Sequence, residues 1–439
     1  MRHRVPLLTS LVFLLLSAFL ASCANSTTAT PAKPTSQAAA TTCPEQLGKN
    51  RYCYTPQSLR TAYGMQDVIQ HGSTGKGQTI VDIVSYGSPT LQQDMDTFNK
   101  QFGLPPLNIQ VRTPLGNIPP FTAKNRSMLT WAQETERDVQ IMHAFAPDAN
   151  IIVLASPTDE TQGSSSLSAF LKMEQYAASQ HLGQVFSQSF SFSEATLQDS
   201  SGRQIVTSFD DFYHQTTTQG ITFLAASGND GATSIASAAS PKLATTPTTN
   251  FPASDPWVTA VGGTSLVREA QESHETAWSR SGGGISTLFD EPSFQKNLPQ
   301  PVQVQLSNHR GVPDIAADAN GYTGMAYYYN RQWRMAGSTN AATPVWAGII
   351  AVANQIAGHA LGFINPTLYG IAGSKNYAQD FHAITSGNNS ITLGTVHVKG
   401  YSAGSGWNAV TGLGTPNAAK LLPDLIVTKA STDSVEAKA

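Results

Sequence analysis

From Val345 to Ile356 the chain reads Val-Trp-Ala-Gly-Ile-Ile-Ala-Val-Ala-Asn-Gln-Ile, apolar on nearly every face a helix could present. A helix that is apolar all round has to be covered all round, so the remaining chain must fold about this one. It is fed by Ala336-Gly337-Ser338-Thr339-Asn340-Ala341-Ala342-Thr343-Pro344, a Gly-Ser-Thr turn running into small residues. Asn340 is the natural N-cap of the helix, and Pro344 falls in its first turns, where a missing N–H costs little. Backbone donors at a buried helix start stabilise developing negative charge.

The rest of the chain can supply that cover. It has 439 residues, 40% hydrophobic and 13% charged, which suits a large core and argues against disorder over most of its length. A net charge of −3 without a basic cluster argues against a nucleic-acid partner. Apolar strands are expected at Thr79–Val84, Ile151–Leu154, Val185–Phe190 and Ile221–Ala226, alternating with helices at Asp94–Phe102, Trp131–Ala146 and Ser166–Ser179. Strand-helix-strand alternation predicts an α/β fold, a mostly parallel sheet with helices on both faces. On the Trp131–Ala146 helix, Glu134 and Asp138 stand four residues apart, so both carboxylates leave one face. The plain reading is a solvated acidic face eased by Arg137. The functional reading is a pair of acids set for proton transfer.

The N-terminus carries its own signals. Met1–Arg4 is basic, Val5–Leu20 is apolar but short for a membrane span, and Leu20-Ala21-Ser22-Cys23 follows. This resembles a bacterial lipoprotein signal, with 1–22 cleaved and Cys23 lipidated; a plain signal peptide or an uncleaved anchor is the alternative. Residues 23–42 are almost entirely Ala, Ser, Thr, Pro and Asn, a tether. With Cys23 taken by lipid, the remaining cysteines Cys43 and Cys53 are expected as a disulfide in an exported chain. The domain is expected to span 43–427, with a disordered tail at 428–439.

The stretch 336–350 resembles the nucleophile turn of the sedolisins, serine-carboxyl peptidases of family S53 with a subtilisin-like fold. Their pattern is Gly-Thr-Ser, three small residues, Pro, an apolar-aromatic pair and Ala. Aligned on Pro344 and Trp346, the family's serine falls on Asn340. Glu134-x-x-x-Asp138-Val-Gln followed by His-Ala-Phe-Ala-Pro resembles the segment carrying the family's catalytic Glu and Asp. The resemblance makes Glu134 the general base and Asp138 its orienting partner, with Glu136 pointing elsewhere. Ser187-Gln188-Ser189 matches the segment that pairs with bound peptide as an added strand. Ser227-Gly228-Asn229 matches Ser-Gly-Asp, whose Asp helps form the oxyanion hole; Asn229 can donate the same hydrogen bond without being protonated. Phe251–Thr264, Trp278–Ser286 and Val312–Ile315 agree with structural signatures of the family, and the likeness extends over about Tyr54 to Leu422.

The resemblance also implies a calcium site made by two Asp carboxylates and backbone carbonyls. Here the carboxylate positions read Ala383 and Asn408, leaving Ile384, Gly404 and Gly406 to offer carbonyls and Asp380 nearby in sequence. Calcium takes six to eight oxygens and gains most from anionic ones, so this site is read as degenerate and no cofactor is expected. Most sedolisins carry a long folded propeptide before the position of Tyr54; its absence here suggests a peptidase activated differently or one with nothing to restrain. An Asn amide has no acidic proton to give a base and is a poor nucleophile. The expectation is a lipid-anchored, extracytoplasmic, monomeric sedolisin homologue with impaired turnover and a groove kept for a peptide or protein ligand. The alternatives are an acidic endopeptidase working through Ser338 or Thr339, and a structural or adhesive surface domain.

Overall fold

The computed structural model describes residues 40–47, 52–237, 240–269 and 272–436. The expected signal peptide, the expected lipidation site Cys23 and the expected tether up to residue 39 lie outside the described residues. Seven of the strands that position the site line up side by side: β1 (Thr79–Ser85), β2 (Gln110–Arg112), β3 (Asn150–Ser156), β4 (Val185–Gln188), β5 (Thr222–Ala226), β6 (Thr259–Glu269) and β7 (Glu272–Ala277). Their order is β7-β6-β5-β4-β1-β3-β2, and β8 (Ile315–Asp318) joins through β6. Every pairing is parallel except that of β6 with the edge strand β7. The central strands are buried along most of their length, as expected where helices cover both faces of a parallel sheet.

Four helices matter for that cover: α1 (Arg126–Phe145), α2 (Ser164–Ser179), α3 (Ser200–Thr217) and α4 (Thr339–Ala357). The expected apolar helix is α4, buried from Thr339 through Asn354 and packed on α1 and on the central strands. It starts two residues earlier than expected. Ser338 occupies the N-cap position without a side-chain cap bond, so Asn340 lies inside the first turn and is not the cap. Its amide is engaged elsewhere, as described below. Among the described residues α3 is a further long helix beyond those expected, with Val206, Phe209, Phe212, Tyr213 and Thr216 buried at helical spacing.

The expected disulfide is present between Cys43 and Cys53. The described residues form one compact unit. At its far end the helix α5 (Ala418–Glu436) docks through Leu421, Leu422 and Leu425 and keeps helical backbone to Glu436. Residues 428–436 are therefore helical here and not the expected disordered tail, because the docked turns nucleate a helix that the following residues can extend.

Helices α1 and α4 set the distance across the site, and one residue governs how close they come. A Cβ added at Gly348 would lie 2.4 Å from the Cβ of Phe145. Gly348→Ala would gain about 1 kcal/mol of helix propensity but force the helices apart, at an overpacking cost of roughly 1–3 kcal/mol. The expected outcome is a net loss of stability in urea unfolding; an unchanged or raised midpoint would contradict this account of the helix contact.

Candidate active site

Parallel strands deliver their following loops to one end of the sheet, and the site forms there. Ser189 follows β4, and Ser227-Gly228-Asn229 follows β5. Helix α1 brings Glu134 and Asp138 to this end, and the first turn of α4 brings Asn340. The structure thus assembles the four side chains singled out from sequence.

Their contacts are specific. Asn340 Nδ2 donates to the carbonyl oxygen of Ser189 at 2.6 Å, and its side chain also bonds Glu134. Asn340 Oδ1 accepts from Asn229 Nδ2 at 2.9 Å. Asn229 Oδ1 in turn accepts the Thr339 N–H at 2.7 Å. The Thr339 hydroxyl accepts the Gly228 N–H at 3.1 Å and lies 3.0 Å from the Gly228 carbonyl oxygen. The expected oxyanion donor is therefore bonded to the side chain at the nucleophile position, and Thr339 has its hydroxyl committed to the loop after β5. The Ser338 hydroxyl is buried without a hydrogen-bond partner, on a backbone with φ 86°.

The acids are not a solvated face. Asp138 is fully buried, the Glu134 side chain is 13% exposed, and Arg137 closes on Glu134 in a short ion pair. Arg137 Nε also lies 3.5 Å from Asp138 Oδ1, and Ser189 donates its hydroxyl to Asp138 Oδ2 at 2.7 Å. Burial raises Glu134 above the usual carboxylate range, while Arg137 and the Asn340 bond pull it back. Burial and the neighbouring Glu134 charge push Asp138 well above its ordinary value, against Arg137 and Ser189. Burial disfavours the Arg137 charge, but Glu134 and Asp138 together hold the guanidinium protonated beyond its normal range. Glu136 does point elsewhere, as expected; it accepts the Ser88 hydroxyl at 2.7 Å, and burial lifts it to about 8.

The sequence reading missed Asp82. It sits in the middle of β1, fully buried, registered against Ser187 on β4 and Val153 on β3. Both of its carboxylate oxygens lack a hydrogen-bond partner. Burial, then the charges of Asp138 and Glu134, push it well above the usual range. The available signal was a lone Asp inside an otherwise apolar strand. Charged groups are rarely placed there without a partner.

The calcium segments can be tested on their own bonds. Asn408 Oδ1 accepts the N–H groups of Val410 and Thr411 and lies 3.1 Å from the Thr411 hydroxyl. Its Nδ2 donates to the Gly404 carbonyl oxygen at 3.3 Å, one of the oxygens a cation would need. Ala383 is exposed and offers no oxygen from its side chain. Among the described residues no group of three or more His, Cys, Asp or Glu is placed to hold a metal ion. The donor set does not fit calcium: an amide N–H points at the carbonyl that the ion would use.

These features match known proteins. The model of the subtilase family matches residues 129–362, more than half of the chain. The chain belongs to the subtilase family, in its sedolisin branch. It is 30% identical to kumamolisin of Bacillus sp. (strain MN-32) over 383 residues, which is 85% of this chain and 64% of that protein. It is 34% identical to tripeptidyl-peptidase 1 of Homo sapiens over 224 residues, 47% of this chain and 38% of that protein. The chain thus spans less than two thirds of either relative. Among solved structures, Pseudomonas sedolisin, a serine-carboxyl proteinase complexed with two molecules of pseudo-iodotyrostatin, superposes with a TM-score of 0.70. That match is 24% identical in sequence and covers 87% of this chain and all of the other, and it shows the shared fold.

Two measurements test this site's physics. An unfolded Asp ionises above about pH 4, whereas folded Asp82 keeps its proton to higher pH. The folded state holds the extra proton in that window, so this contribution falls as pH rises through it. Asp82→Asn should therefore raise the melting temperature at pH 8 and leave it nearly unchanged at pH 4. An equal shift at both pH values would remove the ionisation argument. Separately, millimolar calcium or a chelator should leave the melting temperature of the parent protein unmoved. Ala383→Asp with Asn408→Asp should make it calcium-dependent; a calcium-dependent parent would overturn the bonding pattern described for Asn408.

Proposed function

We propose that this sedolisin homologue is a lipid-anchored, extracytoplasmic peptide-binding protein whose peptidase turnover is lost. The observation that carries the reading is the closed set of bonds around Asn340. An acyl-transfer site needs a nucleophile whose proton a base can take, and an oxyanion donor free for the substrate carbonyl. Here the residue facing Glu134 is an amide, and the Asn229 donor is already bonded to it. Arg137 adds a second obstacle, since a base tied to a guanidinium is a weaker base at the acidic pH where a carboxylate could work.

The peptide-binding part rests on the strand end at Ser189, whose segment resembles the one that pairs with extended peptide in the family. Asn340 holds the Ser189 carbonyl now, and a bound peptide N–H would compete for it. The anchor rests on the basic, apolar and Leu-Ala-Ser-Cys sequence around Cys23. Among the described residues no helix is long and apolar enough to cross a membrane.

The test is peptide-bond hydrolysis and peptide binding from acid to neutral pH, using the domain from Cys43 onward. The parent should bind extended peptides without cleaving them. Asn340→Ser alone should gain little, and Asn340→Ser with Arg137→Leu should gain clear acid-favoured hydrolysis. Hydrolysis by the parent that disappears in Glu134→Ala would sink the proposal in favour of a working endopeptidase with another nucleophile. In the full chain, Cys23→Ser should release the protein from the membrane fraction; retention there would refute the lipid anchor.

A further inference from the structure

The loops that enter the parallel strands lie at the opposite end of the sheet from Asn340, and one of them, before β6, helps to form a second cleft. Trp257 precedes β6, while Phe363 follows Gly362, whose carbonyl oxygen accepts the hydroxyl of Thr222 at the start of β5. Phe294 completes an aromatic wall, its ring 5.9 Å from Phe363, which lies 4.9 Å from Trp257. Asp290 and Glu291 line the rest of the cleft together with Pro256, Pro292 and Ser293. The cleft encloses about 320 Å³.

Its charge is unbalanced. Glu291 is only 9% exposed, and its Oε1 is buried without a hydrogen-bond partner. Among the described residues neither Asp290 nor Glu291 forms an ion pair. The Arg310 guanidinium lies 5.5 Å from the Phe294 ring centre but is bonded bidentately by Asp314. One of the two Glu291 carboxylate oxygens has thus lost water without gaining a partner, which favours a cation beside it. Aromatic faces favour the same kind of ligand, because their quadrupole attracts ammonium groups. His214 stacks on Trp257 at 4.1 Å and fixes that ring in place.

From these groups we infer that the cleft is a binding site for an alkylammonium group, with Trp257, Phe294 and Phe363 as its wall and Glu291 as its counter-charge. A lysine side chain of a peptide and a free quaternary amine share this chemistry. The site is separate from the groove at Asn340, so its occupancy does not depend on the reading of that groove.

The experiment follows the indole N–H NMR signal of Trp257 in the intact protein, identified as the one missing from Trp257→Phe. Tetramethylammonium and Nα-acetyl-lysine methylamide are titrated at constant ionic strength, with 3,3-dimethylbutan-1-ol as the neutral analogue. At least one cation should shift the signal saturably, at around millimolar concentration, with little effect from the alcohol. The tighter of the two cations identifies the source. Glu291→Gln should weaken binding about tenfold or more, and Asp290→Asn should weaken it less because Asp290 is exposed. The proposal is overturned if the alcohol binds as well as the cations, if neither cation binds saturably, or if folded Glu291→Gln binds like the parent.

Discussion

A carboxylate taken out of water must be protonated or paired, and the centre of this molecule has three of them close together. Asp82 comes from a strand, and Glu134 and Asp138 come from consecutive turns of one helix. A single guanidinium, Arg137, lies among them and pairs with Glu134. One positive charge favours one ionised acid nearby, and burial raises all three. The geometry of the surroundings follows from this balance. Ser189 turns its hydroxyl to Asp138 and its carbonyl to Asn340, and Asn340 faces Glu134 with an N–H.

Amides stand at three positions where the family resemblance leads one to expect a charge or a transferable proton. By the family resemblance, Asn340 takes the place of a hydroxyl, Asn229 that of an acid, and Asn408 that of a calcium-binding carboxylate. An amide is both donor and acceptor and does not titrate near neutral pH, so it can satisfy a polar neighbourhood permanently. Asn229 and Asn340 do so with each other across the strand-to-helix gap. Asn408 does so within its own loop, where its carbonyl gathers backbone donors and its N–H takes the Gly404 oxygen. Fixed hydrogen bonds thus occupy the polar groups at both places.

The parallel sheet was legible because its strands are short apolar runs separated by amphipathic helices, a pattern set by burial on both faces. The buried helix α4 was legible for the same reason. That Glu134 meets Asn340 across some two hundred residues could be read only through family resemblance, since no local periodicity encodes it. Asp82 was hidden by its neighbours: Ile80, Val81, Ile83 and Val84 dominate the strand, and one polar residue does not change its period. Arg137 was cast as a surface counter-charge because i, i+3 spacing from Glu134 says nothing about which helix face is covered. The start of α4 was misplaced by two residues because Asn is a favoured cap, and its tertiary bonds to Ser189 and Asn229 outweighed that local preference.

Ser338 holds a backbone with φ 86° and ψ 159°, a region that glycine enters freely and other residues avoid. It gains no side-chain bond in return, for its hydroxyl is buried and unpartnered. Nothing in this residue's own preferences asks for the turn. Its shape is dictated from outside, by the loop after β5 that holds Thr339 and by the helix that must begin there. The turn therefore owes its shape to its surroundings, and would keep that shape under other side chains at the same position.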